Sequence, residues 1–212
     1  MTELTEMMMT FFKSGGVFMF PIAVVGLIAL AIVIERMVAM LNYRYQIAKD
    51  TRQFVDSVTS EPKEALSQLI QSRSVLADTV RSALEAYQAN SVSKDEFDEL
   101  VGISAIHSVR RLSRRTTVIS TLANVATLLG LLGTIMGLIQ SFASVAQATG
   151  PEKSALLSES VSVAMNTTAF GLMVAIPLLL VYVFIDNASN KAVESLQVGC
   201  ATVQNKLYQK RD

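Results

Sequence analysis

The chain has 212 residues, of which 51% are hydrophobic and only 17% charged, with zero formal net charge and a mean hydropathy of +0.42. Soluble domains carry about 25% charged residues, so this composition points to a membrane protein; a neutral chain gives no global electrostatic case for nucleic-acid binding. A single cysteine, Cys200, excludes an intrachain disulfide and argues against a structural zinc site.

Residues 1–16 are weakly amphipathic through Met7, Met8, Met9, Phe11 and Phe12, a pattern suited to lying along a membrane surface. Glu3 and Glu6, with no cation in the first twelve residues, argue against a secretory signal. Residues 17–41 read as a first transmembrane helix: Val17 to Ile34, extended by Met37 to Leu41. Pro21 falls in its first turn, where proline is tolerated. Glu35 and Arg36 lie near an end of the span and are expected to snorkel, without a functional role. With no tryptophan present, Tyr43, Tyr45 and Tyr182 are the aromatic candidates for the membrane interface.

Residues 42–115 read as a helical domain with no β pattern. Ser60-Glu61-Pro62 resembles a cap followed by proline in the first turn, and Ser74 opens an amphipathic segment through Ala89. Ser93-Lys94-Asp95-Glu96 is a capping box, from which Phe97, Leu100, Ile103, Ile106, Val109 and Leu112 run at helical spacing. Gly102 alone is too weak a breaker to stop this helix, so one continuous helix is expected from Ser93 through the second span. His107 reads as a surface histidine.

Two uncharged runs follow, Thr116 to Pro151 and Ser160 to Ile185, each longer than the roughly 20 residues that a membrane crossing needs. They read as a second span over 116–146 and a third over 159–187, joined by a loop at 147–158. In the second span Thr127, Thr134 and Ser141 recur every seven residues, so they lie near one helical stripe with Gly130 and Gly137. In the third, Val161, Ala164, Thr168, Gly171 and Ala175 share a small-residue stripe. Such residues face another helix or a water path rather than lipid. Gly130, Gly133, Gly137 and Gly171 are expected to serve close helix packing. Asn124 and Asn166 are costly in lipid and are expected to bond across a helix interface, and Pro177 is expected to kink the third span. Residues 188–212 read as a helix with Val193, Leu196, Val203 and Leu207 on one stripe, and Cys200 packs within it.

Eleven of the eighteen Lys and Arg lie in residues 42–115, against one in the first segment (Lys13), one in the 147–158 loop (Lys153) and four in the tail. The positive-inside rule then sets the N-terminus outside, the 42–115 domain and the tail in the cytoplasm, and the loop outside. Arg110, Arg111, Arg114 and Arg115 stand immediately before the second span. Their plain reading is topogenic, and contact with membrane lipid headgroups is compatible with it; nucleic acid is not an expected partner. No nucleophile–base pair, metal cluster or phosphate-binding loop is apparent, so no enzyme activity, cofactor or metal is expected. The fold class is thus an all-α integral membrane protein of three transmembrane helices with long cytoplasmic helical extensions, N-out and C-in.

The strings Gly130-Leu131-Leu132-Gly133-Thr134 with Gly137 and Ser141-Phe142, and Thr167-Thr168-Ala169 with Gly171-Leu172 and Ala175-Ile176-Pro177, resemble the MotA/TolQ/ExbB proton-channel family, its ExbB/TolQ branch most closely. The resemblance is strong over 123–187 and rests on topology alone over 16–115. It implies a homopentameric ring in the bacterial inner membrane, whose second and third helices line a pore. That pore would hold an ExbD/TolR-like single-span partner with a membrane Asp. Proton flow would move the partner and energise an envelope machine through a TonB-like or TolA-like protein. By motif position, Thr134 and Thr168 correspond to the family's pore-lining threonines, and Thr127 and Ser141 extend that stripe. Threonine hydroxyls donate and accept, so they serve the Asp in either protonation state.

One departure stands out. The ExbB/TolQ branch carries a Glu eight residues before the glycine of the third-helix motif, and here that position is Val163. Glu159, one turn away, either substitutes for it on the proton pathway or is a helix-start acid favoured by the dipole. Two rival readings remain at this stage: a MotA-like flagellar stator, for which residues 42–115 are short, and a passive membrane scaffold subunit of a transporter.

Overall fold

Serine caps start two of the helices in the 42–115 region. Ser74 accepts from the Ala77 N–H at 3.0 Å, and at Ser93 the capping box closes in both directions: the Ser93 N–H donates to Glu96 at 2.7 Å and the Glu96 N–H to Ser93 Oγ at 3.3 Å. The computed structural model describes residues 16–58, 62–89, 92–147 and 152–208. Within them lie α1 (Met19–Val58), α2 (Pro62–Gln71), α3 (Val75–Gln88), α4 (Lys94–Ser113), α5 (Thr116–Gln147) and α6 (Glu152–Tyr208). The amphipathic segment expected over residues 1–15 and the cap at Ser60-Glu61 lie outside the described residues; α2 begins on Pro62, where proline's missing N–H costs nothing.

Three helical stretches are long and apolar enough to cross a membrane, by length and composition: Met19–Val58, Lys94–Ala146 and Lys153–Tyr208. The third begins earlier than its sequence pattern suggests, because α6 starts at Glu152, inside the expected 147–158 loop, and runs unbroken past Pro177 into the tail. Pro177 leaves the Met173 carbonyl without its usual helical donor.

The expected continuous helix from Ser93 through the second span is broken. Arg114 is extended (φ −61°, ψ 141°) and Arg115 takes the left-handed region at φ +66°, a conformation uncommon outside glycine. No Gly or Pro announces this break; tertiary bonds accompany it. The Leu112 carbonyl, which would otherwise accept from Thr116, accepts from the buried Ser189 Oγ at 3.2 Å, and Arg115 reaches Glu35 at 2.8 Å.

The chain divides into two units. The first comprises residues up to Ile34 with Thr117–Val183; the second, Glu35–Thr116 with Phe184 onward. In the first, the buried residues are mostly small: Ala29, Ala123, Ala126, Ala164 and Ala175, with Ile22 and Ile119. Large apolar side chains such as Leu128, Ile139, Phe142, Met173 and Leu180 are exposed, the inverse of a water-soluble domain.

The second unit has a conventional core. Phe97 is fully buried between Tyr87 and Tyr208, edge-on to both at 5.9 and 6.2 Å. Leu76, Val80, Leu84, Leu112, Leu196, Val203 and Leu207 belong to the same core. The predicted tail stripe is therefore inward-facing, with Ala192 and Cys200 added. Asp98 ties the tail down by accepting from Tyr208 Oη at 2.7 Å and Gln204 Nε2 at 2.8 Å. The α4 stripe is only half right. Phe97 and Leu112 are buried, but Ile103 and Ile106 are exposed, and Val101 and Ser108 take their places inward. Ser108 is buried because Thr79 Oγ1 meets it at 2.7 Å. His107 is exposed, as expected.

Burial pushes the Cys200 thiol up to about 11, from an ordinary 9.0. The thiolate fraction at pH 8 should accordingly be about a hundredfold lower than in the unfolded chain. Iodoacetamide labelling at pH 8 is expected to be slower by that order in the folded protein, and to reach the ordinary thiol rate in denaturant.

Candidate functional site

The small residues of α5 and α6 fix how these helices meet. A Cβ on Gly171 would stand 2.8 Å from the Ala126 carbonyl oxygen and 3.1 Å from Gly130 Cα, so the two backbones are in direct contact there. One on Gly133 would strike Thr167 Cγ2 at 2.4 Å, and one on Gly137 would strike Ala164 Cβ at 2.9 Å. Gly130 itself lies against Thr168 Cα and the Thr167 carbonyl, each at 3.3 Å from its notional Cβ. The stripes read from the sequence, Gly130–Thr134–Gly137 and Ala164–Thr168–Gly171, thus face each other within one chain.

This close approach brings two hydroxyls together. Thr134 Oγ1 and Thr168 Oγ1 are 3.1 Å apart, on half-buried residues. Thr168 Oγ1 donates across the interface to the Gly130 carbonyl at 2.8 Å, and Thr134 Oγ1 donates to the Leu131 carbonyl at 2.6 Å within its own helix. The pair has two protons and three acceptors within reach: two carbonyls and the opposite hydroxyl. With both protons on carbonyls, the pair presents only lone pairs. With one turned away, it can donate instead.

The remaining predicted site residues are placed as follows. Thr127 Oγ1 donates to the Ala123 carbonyl at 3.2 Å on its own helix. Ser141 is fully buried and its Oγ has no partner among the described residues. Glu159 is exposed, and on α6 it lies half a turn round from Thr168, so the two do not share a stripe. Val163 is half-buried, and its carbonyl accepts from Thr167 Oγ1 at 2.9 Å. Asn166 is half-buried. Asn124 is exposed and makes no hydrogen bond within the described residues, so the expected cross-helix bond from it is absent in the single chain. Thr167 escaped the sequence reading: it is 2% exposed and is the side chain that meets Gly133. The Gly133–Thr167 pairing could have been sought by treating the interface as two residues wide instead of as a single line.

The basic cluster is partly paired. Arg111 meets Asp78 at 3.0 Å and Arg115 meets Glu35 at 2.8 Å, while Arg110 and Arg114 are exposed. Arg36, expected to snorkel at the end of the first span, is 6% exposed, with its Nε buried.

A multi-pass membrane protein whose helices meet through glycines around a hydroxyl pair is the class these features define. Residues 71–198 match the MotA/TolQ/ExbB proton channel family, and the chain belongs to that family, in its ExbB branch. The match reaches well into the helical domain, beyond the 123–187 segment that carries the motifs. A biopolymer transport ExbB homologue of Methanothermobacter thermautotrophicus is 26% identical over 194 residues, covering 88% of this chain and 66% of that protein. An ExbB-like protein of Synechocystis sp. is 29% identical over 168 residues, 79% of each chain. The biopolymer transport protein ExbB of Pseudomonas putida is 33% identical over 158 residues, covering 71% of this chain but 46% of its own length. The chain therefore spans about two thirds of the first of these relatives and less than half of the last.

Proposed function

We propose that this chain is the proton-channel and motor subunit of an ExbB/TolQ-type energising complex in a bacterial inner membrane. Several copies would form a ring, five by family resemblance, with its N-termini outside. An ExbD/TolR-like single-span partner carries an acidic side chain past the Thr134–Thr168 pair, and the work passes to a TonB-like or TolA-like protein. The single observation that carries this reading is the hydroxyl pair itself. Two protons shared among three acceptors can accept from a neutral carboxylic acid or donate to a carboxylate with only a hydroxyl rotation between them. An ionised carboxylate is expensive at membrane depth, so the acid crosses there neutral and ionises where water reaches it. The test is reconstitution of the full chain in proteoliposomes with and without a co-purified single-span protein bearing a membrane Asp. Proton uptake under an imposed pH gradient is expected only when both are present; equal flux without the partner would refute the reading.

Glu159 tests whether the acid missing at Val163 has been relocated. Its exposure and its position half a turn from Thr168 speak against a place on the Thr134–Thr168 stripe, and because α6 begins two turns earlier, at Glu152, Glu159 is not a helix-start acid either, so Glu159→Gln is expected to change stability little. Flux in that variant is expected to stay near wild type. Loss of flux with assembly intact would assign Glu159 to the proton pathway.

A further inference from the structure

We infer that Arg36, Arg114 and Thr116 form a seat for the phosphate group of an anionic phospholipid. Arg36 is 6% exposed, yet it makes no hydrogen bond or ion pair with any described residue, and its Nε is buried without a partner. A guanidinium does not neutralise, and with its Nε buried and unpaired a counter-anion is favoured there. No described residue supplies one. The adjacent acid, Glu35, is engaged by Arg115 at 2.8 Å. The titratable groups whose charge reaches Arg36 are Glu35, Tyr43, Arg114 and Arg115, and the sum is positive. Arg114 is exposed and likewise unpaired among the described residues.

Thr116 adds an independent mark. Its Oγ1 is buried without a partner among the described residues, on a residue 2% exposed. It opens α5, a 32-residue helix with no acid in its first turn, so the helix's positive end there is uncompensated. The Thr116 N–H is one of the donors that helix geometry leaves free. Two bare guanidinia, an orphan hydroxyl and a helix N-terminus suit a tetrahedral oxyanion with several acceptor oxygens.

The level of the site selects the source. Glu35 and Arg36 close the apolar run that ends at Ile34, and Thr116 starts the uncharged run of the second span, so both ends mark the boundary between hydrocarbon and water. On the membrane side of Arg36, along the same helix, the side chains of Leu30 and Ile34 are exposed at 51 and 52%, an apolar surface that an acyl chain can cover and a free phosphate cannot.

The test is native mass spectrometry of the full chain purified in maltoside detergent, supplied separately with phosphatidylglycerol, phosphatidylcholine and inorganic phosphate. Wild type is expected to retain phosphatidylglycerol in preference to phosphatidylcholine, and millimolar phosphate is expected not to displace it. Arg36→Gln and Arg114→Gln are each expected to reduce retention about tenfold. Arg114 is exposed, so its variant folds even if burial makes Arg36→Gln fragile; circular dichroism checks both. Equal retention by wild type and folded Arg114→Gln, or equal retention of the two lipids, overturns the site. Displacement by inorganic phosphate assigns it to a soluble anion and overturns the lipid. No step depends on proton flux, so the outcome is separate from that of the proton-channel reading.

Discussion

Thr134→Val and Thr168→Val are each expected to leave the protein folded and membrane-inserted while cutting partner-dependent proton flux by an order of magnitude or more. Valine keeps the β-branched shape and removes the hydroxyl. The structural cost is small, because the Gly130 carbonyl that Thr168 caps still holds its helical bond from the Thr134 N–H; losing one such side-chain bond costs about 1 kcal/mol. The flux cost is large because the surviving hydroxyl has lost its alternative partner at 3.1 Å, and with it the exchange between donating and accepting. Thr→Ser at either position keeps that exchange and is expected to be much milder. Proteoliposome uptake assays of the Val and Ser variants separate the cases. If Val and Ser conduct equally, the pair is packing and the proposed chemistry at this site is wrong.

Gly171→Val is expected to have the largest structural effect of any single change in the first unit. Even the first added carbon would sit 2.8 Å from the Ala126 carbonyl oxygen, which is backbone and cannot swing aside. The helices must separate, which breaks the Thr134–Thr168 contact along with the Gly130–Gly171 approach. Overpacking of this kind costs about 1–3 kcal/mol, which corresponds to a fall of roughly 2–12 °C in melting temperature for a chain of this size. Gly102→Ala is the control. Nothing lies within 4 Å of its notional Cβ, so it should be neutral or raise the melting temperature slightly, by helix propensity alone. Fluorescence-detected size exclusion after heating reads both. A Gly171→Val protein that melts like wild type would remove the close-approach argument.

Much of this geometry was legible in the sequence because membrane helices must declare themselves. The uncharged runs give the spans, and glycines at three- and four-residue spacing give the face on which α5 and α6 meet. Ser93 with Glu96 gave a helix start down to its hydrogen bonds. What was not legible depends on partners distant in the chain. The break at Arg114–Arg115 has no local signal; the bonds that accompany it come from Ser189 and Glu35, far away in sequence. Thr167 was missed because a stripe drawn through Thr168 is one residue narrower than the surface that Gly133 opens. Arg36 was read from its place at the end of an apolar run, which says nothing of the burial that tertiary structure imposes. Ile103 and Ile106 fit a helical period yet lie outward, since periodicity gives a helix but not which of its faces is covered.

The second unit is stitched from two separate stretches of the chain, Glu35–Thr116 and the stretch from Phe184 onward. Its core needs Leu196, Cys200, Val203 and Leu207 beside Leu76, Leu84 and Phe97. Those last side chains leave the ribosome only after both later spans have been made. Until then, the apolar faces of α2, α3 and α4 have no tail helix to cover them, a state in which nascent chains are prone to stick to one another or to recruit chaperones. Closure of this half-core is therefore a late zipping step, in which the C-terminal part of α6 covers it after the three apolar stretches have been made. A stop codon placed just before Leu196 would yield a chain with the three described apolar stretches and no way to finish that closure.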